Sequence, residues 1–257
     1  MPVQAVAQNA QRQSVTTTLK SLCCDYPAGG GVLHELLQNA DDAGAQTVKF
    51  YLDLNSYPIE PLISTEGDCE LQGYQGPALL AYNNVIFTEN DFKNLSSLGK
   101  SFKLNDETTT GGFGRGFNTV YNWTDSPAIV SREFLLILDP HERWSRGGPR
   151  YDFVASSKEP EMINHLKAFQ AFMKKSDEAL DGTIIRIPLR TATQAASSEI
   201  SNRETMVSEV QDVLQKFATE FGKSGLLFMK NIDYITIGST DGDNFELSVV
   251  DAEDVRA

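Results

Sequence analysis

Three polar residues at helical spacing are the first candidates for chemistry. Glu35, Asn39 and Asp42 lie at i, i+4 and i+7, which stacks their side chains along one face of an α-helix. Two carboxylates and an amide suit a metal–polyphosphate. Mg²⁺ takes near-octahedral oxygen ligation, with one or two protein ligands and the rest from phosphate and water. The Asn39 side-chain oxygen can be that single ligand. Glu35, one turn earlier, can reach a water in line with a terminal phosphate and accept its proton. The plainer alternative is that any amphipathic helix has a polar face.

A second candidate is the run Gly111-Gly112-Phe113-Gly114-Arg115-Gly116-Phe117. Glycines let backbone N–H groups turn toward an anion, and a following helix N-terminus adds a favourable dipole. No Gly-Lys-Ser/Thr follows, so it is not a Walker A loop, and no clean strand precedes it as a dinucleotide fingerprint requires. Lys100 opens the polar stretch before this run and could reach phosphates or stay solvated. Thr183 starts an apolar strand after Gly182; its hydroxyl could bond an adenine edge or neighbouring backbone. Asn83 and Asn84 interrupt another strand, as a turn or as a polar contact to a base.

The elements that position these residues follow from the apolar pattern. Residues 1–13 read as a polar, disordered lead, and 14–257 as one domain. Ser14 can cap a helix to Leu22. Val32, Leu33, Leu36, Leu37 and Ala40 predict a helix over Val32–Ala43, ended by Gly44. Thr47–Leu54 alternates as a strand, and Ala78–Phe87 is a strand containing the Asn83-Asn84 turn. Thr88 caps a helix over Glu89–Leu98, and a further helix is expected over Gly114–Trp123. Strands are expected at Ala128–Val130 and Glu133–Leu138, with irregular chain over His141–Ser157. A helix over Glu161–Lys175, a strand over Gly182–Leu189 and a long helix over Arg203–Phe221 come next. Strands at Leu226–Met229, Tyr234–Ile237 and Phe245–Val250 close the chain. This order argues for an α+β sandwich, one sheet with helices on one face.

Composition narrows the function classes. The 257 residues carry 22 Lys and Arg against 35 Asp and Glu, a formal charge of −13. Nucleic-acid binding draws on phosphate neutralisation by basic side chains, so an acidic chain is a poor candidate. A polyanionic ligand must instead meet backbone N–H groups, a metal ion and one or two local cations. No apolar run approaches the ~20 residues of a membrane helix, and the start lacks the pattern of a signal peptide. A cytosolic or nuclear setting is expected. Cys23, Cys24 and Cys69 with three His form no zinc pattern and read as free thiols.

Assembled, these residues resemble a known family. Glu35-Leu36-Leu37-Gln38-Asn39-Ala40-Asp41-Asp42-Ala43-Gly44-Ala45 is similar to the N-box of the GHKL ATPases, which include gyrase, the ninety-kilodalton heat-shock chaperone, histidine kinases and MutL. Its form resembles the sacsin-type branch most. So do Asp25-Tyr26-Pro27, Leu71-Gln72-Gly73, Gly76-Pro77-Ala78-Leu79 and Ala81-Tyr82-Asn83-Asn84. Further along, the blocks from Phe113 to Tyr121 and Thr124-Asp125-Ser126-Pro127 fit as well, as do Asp139-Pro140-His141, Gly182-Thr183 and Pro188-Leu189-Arg190. The resemblance runs from about residue 14 to residue 240.

It implies a Bergerat fold, a two-layer sandwich with a mixed, mostly antiparallel sheet, holding ATP and Mg²⁺ under a lid. Glu35 would be the general base, Asn39 the Mg²⁺ ligand, and Asp42 would lie near the nucleotide. Residues 99–112 would be the lid with Lys100 at its hinge. Gly111–Phe117 would hold the phosphates, and Thr183 would support the adenine. The sequence departs from the family pattern in two places. Asn83 and Asn84 stand where most members have an Asp that accepts the adenine amino group, and an amide oxygen accepts more weakly. Arg115 replaces a small aliphatic residue and could add charge at the phosphates or point to solvent. Two functions remain in view: a slow, chaperone-type ATPase with protein clients and self-association, and a nucleotide-gated binding module without turnover.

Overall fold

The structure is a computed structural model, and it describes residues 14–25, 29–63, 70–96, 116–145, 148–221, 229–240 and 247–251. Eight strands form one sheet: β1 (Thr47–Asp53), β2 (Ala78–Asn83), β3 (Ala128–Arg132), β4 (Phe134–Ile137), β5 (Arg150–Asp152), β6 (Leu180–Pro188), β7 (Tyr234–Ser239) and β8 (Leu247–Asp251). Their spatial order is β5-β4-β3-β6-β2-β1-β7-β8. Every pairing is antiparallel except β1 with β7, which is parallel. This is the mixed, mostly antiparallel sheet expected.

Alternating side chains divide the core in two. Val48, Phe50, Leu52, Leu79, Ala81, Ile129, Ile185 and Ile187 point to one face. That face is covered by α1 (Val15–Asp25), α2 (Gly30–Asp42), α3 (Glu89–Ser96) and the 3-10 segment Phe117–Asn122, together with a helix near the C-terminus, α6 (Val207–Lys216). Leu80, Val130, Leu135 and Ile184 point the other way. The second face is covered by α4 (Pro160–Leu166), Phe153, Phe169 and the side chains of Leu62, Leu71 and Tyr74. With both faces covered, β6 is buried continuously from Gly182 to Pro188 rather than at alternate residues, and its polar members Thr183 and Arg186 are buried with it.

Several helices are shorter than the apolar pattern suggests, for physical reasons. The helix expected over Gly114–Trp123 is a 3-10 segment among the described residues, with Thr119 N–H on Gly116 O at 3.0 Å. The Arg190 guanidinium binds the carbonyls of Tyr121, Asn122 and Thr124, which diverts them from an α-helical continuation. The helix expected from Arg203 starts at Val207, because Thr205 N–H is bonded to Arg190 O at 2.8 Å. It ends in a π turn, Phe217–Phe221. The helix expected over Glu161–Lys175 ends at Leu166 and passes into a 3-10 turn.

Two elements were not expected. A short helix, α5 (Ala192–Ser197), is started by a Thr191–Gln194 capping box. The chain called irregular over His141–Ser157 contains β5, held at the sheet edge where Arg150 stacks on Phe134 (4.4 Å) and Phe92 (4.9 Å) and pairs with Glu89. Most of the expected strand Leu226–Met229 lies outside the described residues.

Candidate functional site

Helix α2 forms as its sequence requires. Val32, Leu33, Leu36, Leu37 and Ala40 are buried on its inner side. Its C-terminus closes with Ala45 N–H on Ala40 O and Gly44 N–H on Asp41 O, both at 2.9 Å. This double bond needs a left-handed residue, and Gly44 supplies it at φ 85°. The outer strip is graded: Glu35 and Asn39 are half-buried, and Asp42 is exposed. From Glu35 to Asp42 the strip runs about 10 Å along the helix.

At its N-terminal end the strip meets the end of the glycine run. A Cβ on Gly116 would lie 1.9 Å from Glu35 Oε2 and 2.9 Å from Glu35 Cδ. The carboxylate therefore rests directly on the Gly116 backbone, in a position that any side chain at 116 would force it to leave. Gly116 has ordinary helical φ and ψ, so close approach, not backbone conformation, explains this glycine. One turn along α2, Asn39 Nδ2 is buried without a hydrogen-bond partner. Asn118, two residues beyond Gly116, is buried with neither amide atom partnered. Such orphaned groups cost about 1–3 kcal/mol each, and they cluster where structure is kept for something besides stability.

At the other end, strand register gathers the remaining candidates. Asn83 pairs with Val48 on one side and Thr183 on the other, and Thr183 pairs with Ser131. Asn83 Oδ1 accepts from Val85 N–H at 3.0 Å, and Asn84 Oδ1 accepts from Gln46 and Thr47 N–H, both at 3.0 Å. Both amide oxygens thus shape the turn that ends β2. Thr183 is fully buried, and its hydroxyl donates to Val85 O at 2.7 Å and sits 2.9 Å from Ser131 Oγ. Its proton is committed to backbone, so any further contact by this oxygen is as an acceptor. Gly182 permits the packing: at φ 143°, a Cβ there would meet Asn83 O and Tyr82 at 2.7 Å.

Lys100, Gly111, Gly112, Phe113, Gly114 and Arg115 lie outside the described residues, as does the expected lid over residues 99–112. The structure thus sets Glu35 against Gly116, with Asn39 one turn along α2 and Phe117 buried in the core beside them in sequence; Asn83, Asn84 and Thr183 gather at the end of β2, where Asn84 meets the backbone of Gln46 and Thr47, while Asp42 meets Lys230. Among the described residues no three His, Cys, Asp or Glu side chains converge on a metal position. A resident all-protein metal cage is not what they build. An amide ligand completed by phosphates and water, as read from Asn39, is compatible with them.

Three further features were not read from the sequence. Asp41, not Asp42, is the buried acid of α2. Its carboxylate accepts backbone N–H groups from Lys230 (3.0 Å to each oxygen), Asn231 (2.7 Å) and Ile232 (3.2 Å). Asn231 Nδ2 adds a bond to Asp41 O at 2.7 Å. The signal was the position of Asp41 one residue after Ala40, still within the apolar arc. Asp42, by contrast, lies 3.9 Å from Lys230 Nζ in an exposed pair, a geometry worth little. The second feature is the fully buried pair Arg190–Asp125, 2.6 Å from Nη2 to Oδ1, which ties the 3-10 segment to the end of β6. The third is a polar group beneath the second face, where burial lowers the His165 pKa to about 3 and that of Arg186 to about 10.

Two comparisons bear on this arrangement. Residues 12–251 match the family described as Sacsin domain. Sacsin of Homo sapiens is 34% identical over 247 residues, an alignment covering 93% of this chain and 5% of that protein. The chain therefore spans about one-twentieth of the length of the curated relative it matches. Among the described residues no helix is long and apolar enough to cross a membrane.

Proposed function

This chain belongs to the Sacsin domain family, and from that premise we propose that it binds ATP with Mg²⁺ along the outer strip of α2 and hydrolyses it slowly. The observation that carries the reading is the Glu35 carboxylate resting on Gly116. It joins the acid expected to handle a proton to the glycine run expected to meet phosphate. The unpartnered Nδ2 of Asn39, one turn away, supports a polar guest at the same strip.

In this reading Asn39 would hold Mg²⁺ through its side-chain oxygen, and the ion would neutralise phosphate charge. Glu35 accepts a proton from a water that attacks the terminal phosphorus, and ADP leaves as the phosphorus–oxygen bond breaks. Asp42, Asn83, Asn84 and Thr183 would flank the nucleoside end. Lys100, Gly111–Arg115 and the lid would close over the phosphates. Kinship with the GHKL ATPases, a chaperone role and protein clients belong to the same proposal.

The test is phosphate release by the chain and by Glu35→Ala, with ATP titrated with and without Mg²⁺ and against Asn39→Ala. The reading expects Mg²⁺-dependent binding that Asn39→Ala weakens, and turnover that Glu35→Ala abolishes. Binding without any Mg²⁺ dependence removes the pocket. Equal turnover in chain and variant, with nucleotide bound, removes the catalytic role of Glu35.

A second reading, a nucleotide-gated interaction module, is favoured by the neutral, turn-bonded Asn83 where an acid would hold adenine. Tight binding with no turnover selects it.

A further inference from the structure

A small cavity lies beneath the second face of the sheet, away from the strip on α2. It is lined by Tyr74, Gln75, Ser126, His165 and Arg186 among apolar neighbours. Its volume is about 10 Å³, close to the least that holds one water molecule. Two of its lining side chains carry a buried polar atom with no partner: Nε of Arg186 and Nδ1 of His165. Both residues are more than nine-tenths buried. Each terminal nitrogen of the guanidinium has a partner, Nη1 in Tyr74 O and Nη2 in Gly76 O at 2.7 Å.

We propose that this cavity is a binding site for a single water molecule that accepts from Arg186 Nε–H and donates to His165 Nδ1. Ser126 supplies a third partner. It lines the cavity, and with its hydroxyl proton given to Leu138 O at 2.8 Å its oxygen keeps acceptor capacity for the second hydrogen of the water. A buried water typically makes two to four such bonds, so the three fit. A chloride-sized anion would answer Arg186 but offers no hydrogen to the histidine nitrogen, and the cavity volume favours the smaller guest.

The site fixes a proton. A water that donates to Nδ1 requires the tautomer with hydrogen on Nε2. Burial and the nearby Arg186 charge hold the imidazole neutral, so that lone pair persists across the ordinary pH range. The water also links three elements that share no direct side-chain bond there: α4 through His165, β6 through Arg186, and the segment entering β3 through Ser126.

The experiment is nuclear magnetic resonance on the ¹⁵N-labelled 257-residue chain at neutral pH. The expected result has two parts: a His165 Nδ1 nitrogen with the unprotonated signature, and a long-lived water cross-peak to protons around His165 and Ser126. His165→Phe, which keeps the ring but not the acceptor, should lose that cross-peak while the amide spectrum stays folded. A protonated Nδ1 in the unsubstituted chain overturns the proposal, as does a chain with no long-lived water at the site. Both readouts use the unsubstituted chain, so they stand even where His165→Phe fails to fold.

Discussion

Replacing Asp41 by alanine should cost far more stability than replacing its neighbour Asp42. The Asp41 carboxylate accepts from three consecutive backbone N–H groups, those of Lys230, Asn231 and Ile232, at 2.7–3.2 Å. Hydrogen bonds to a charged group contribute about 1.5–3 kcal/mol each. Simple addition overshoots, because Lys230 is exposed and water can reach part of the vacated loop. A loss of about 3 kcal/mol is the working figure, equivalent to a melting point lower by roughly 6–12 °C for a domain of this size. Asp41→Asn should recover less than half, since one acceptor oxygen becomes an NH₂ facing other donors. Asp42→Ala removes only an exposed partner 3.9 Å from Lys230 and should stay within about 0.5 kcal/mol of the parent. Urea unfolding of the four proteins, read by tryptophan fluorescence, makes the comparison. Equal costs at the two positions, or an Asp41→Ala loss under about 1 kcal/mol, would refute the assignment of Asp41 as the anchor.

Three further outcomes are expected. Gly116→Ala puts a methyl 1.9 Å from Glu35 Oε2. It should displace the carboxylate and lower phosphate release at least tenfold with little change in unfolding midpoint, measured beside Glu35→Ala. His165 titrates near 3 when folded against 6.5 when unfolded. Between those values only the unfolded chain takes the proton, so stability falls as pH falls. The loss is about 2 kcal/mol at pH 5, and urea midpoints of His165→Phe should lack that component of the slope. Arg190→Met strands the fully buried Asp125 charge and should cost about 3–5 kcal/mol. The double variant with Asp125→Leu should regain part of it in the same assay.

The helix carrying Glu35, Asn39 and Asp42 was legible because one periodicity, one apolar arc and one terminal glycine all agree. The central strands were legible for a similar reason, since a covered strand cannot hide its apolar run. Less legible were elements whose limits are set from afar. The 3-10 segment at Phe117 and the late start of α6 both answer to Arg190, which lies some seventy residues from one and more than fifteen from the other. Asn83 and Asn84 stood open between turn chemistry and contact to a base, and Thr183 between neighbouring backbone and an adenine edge; their oxygen bonds favour the turn and the backbone. Asp41 and Asp42 were indistinguishable by type. Only the rotation of 100° per residue sets one inside the helix arc and the other outside it.

The parallel pairing of β1 with β7 has a consequence for the chain as it is made. β1 ends at Asp53 and β7 at Ser239, so about 190 residues separate a strand from its partner on that edge. At synthesis rates of about 5–20 residues per second, the wait is roughly 10–40 s. Throughout it β1 can gain β2 on one side, but its other edge offers unpaired N–H and C=O groups. An apolar strand with an open edge is a template for pairing with another chain. Residues 234–239 therefore act as a late-arriving guard, and truncation before them should turn a folding chain into an aggregating one.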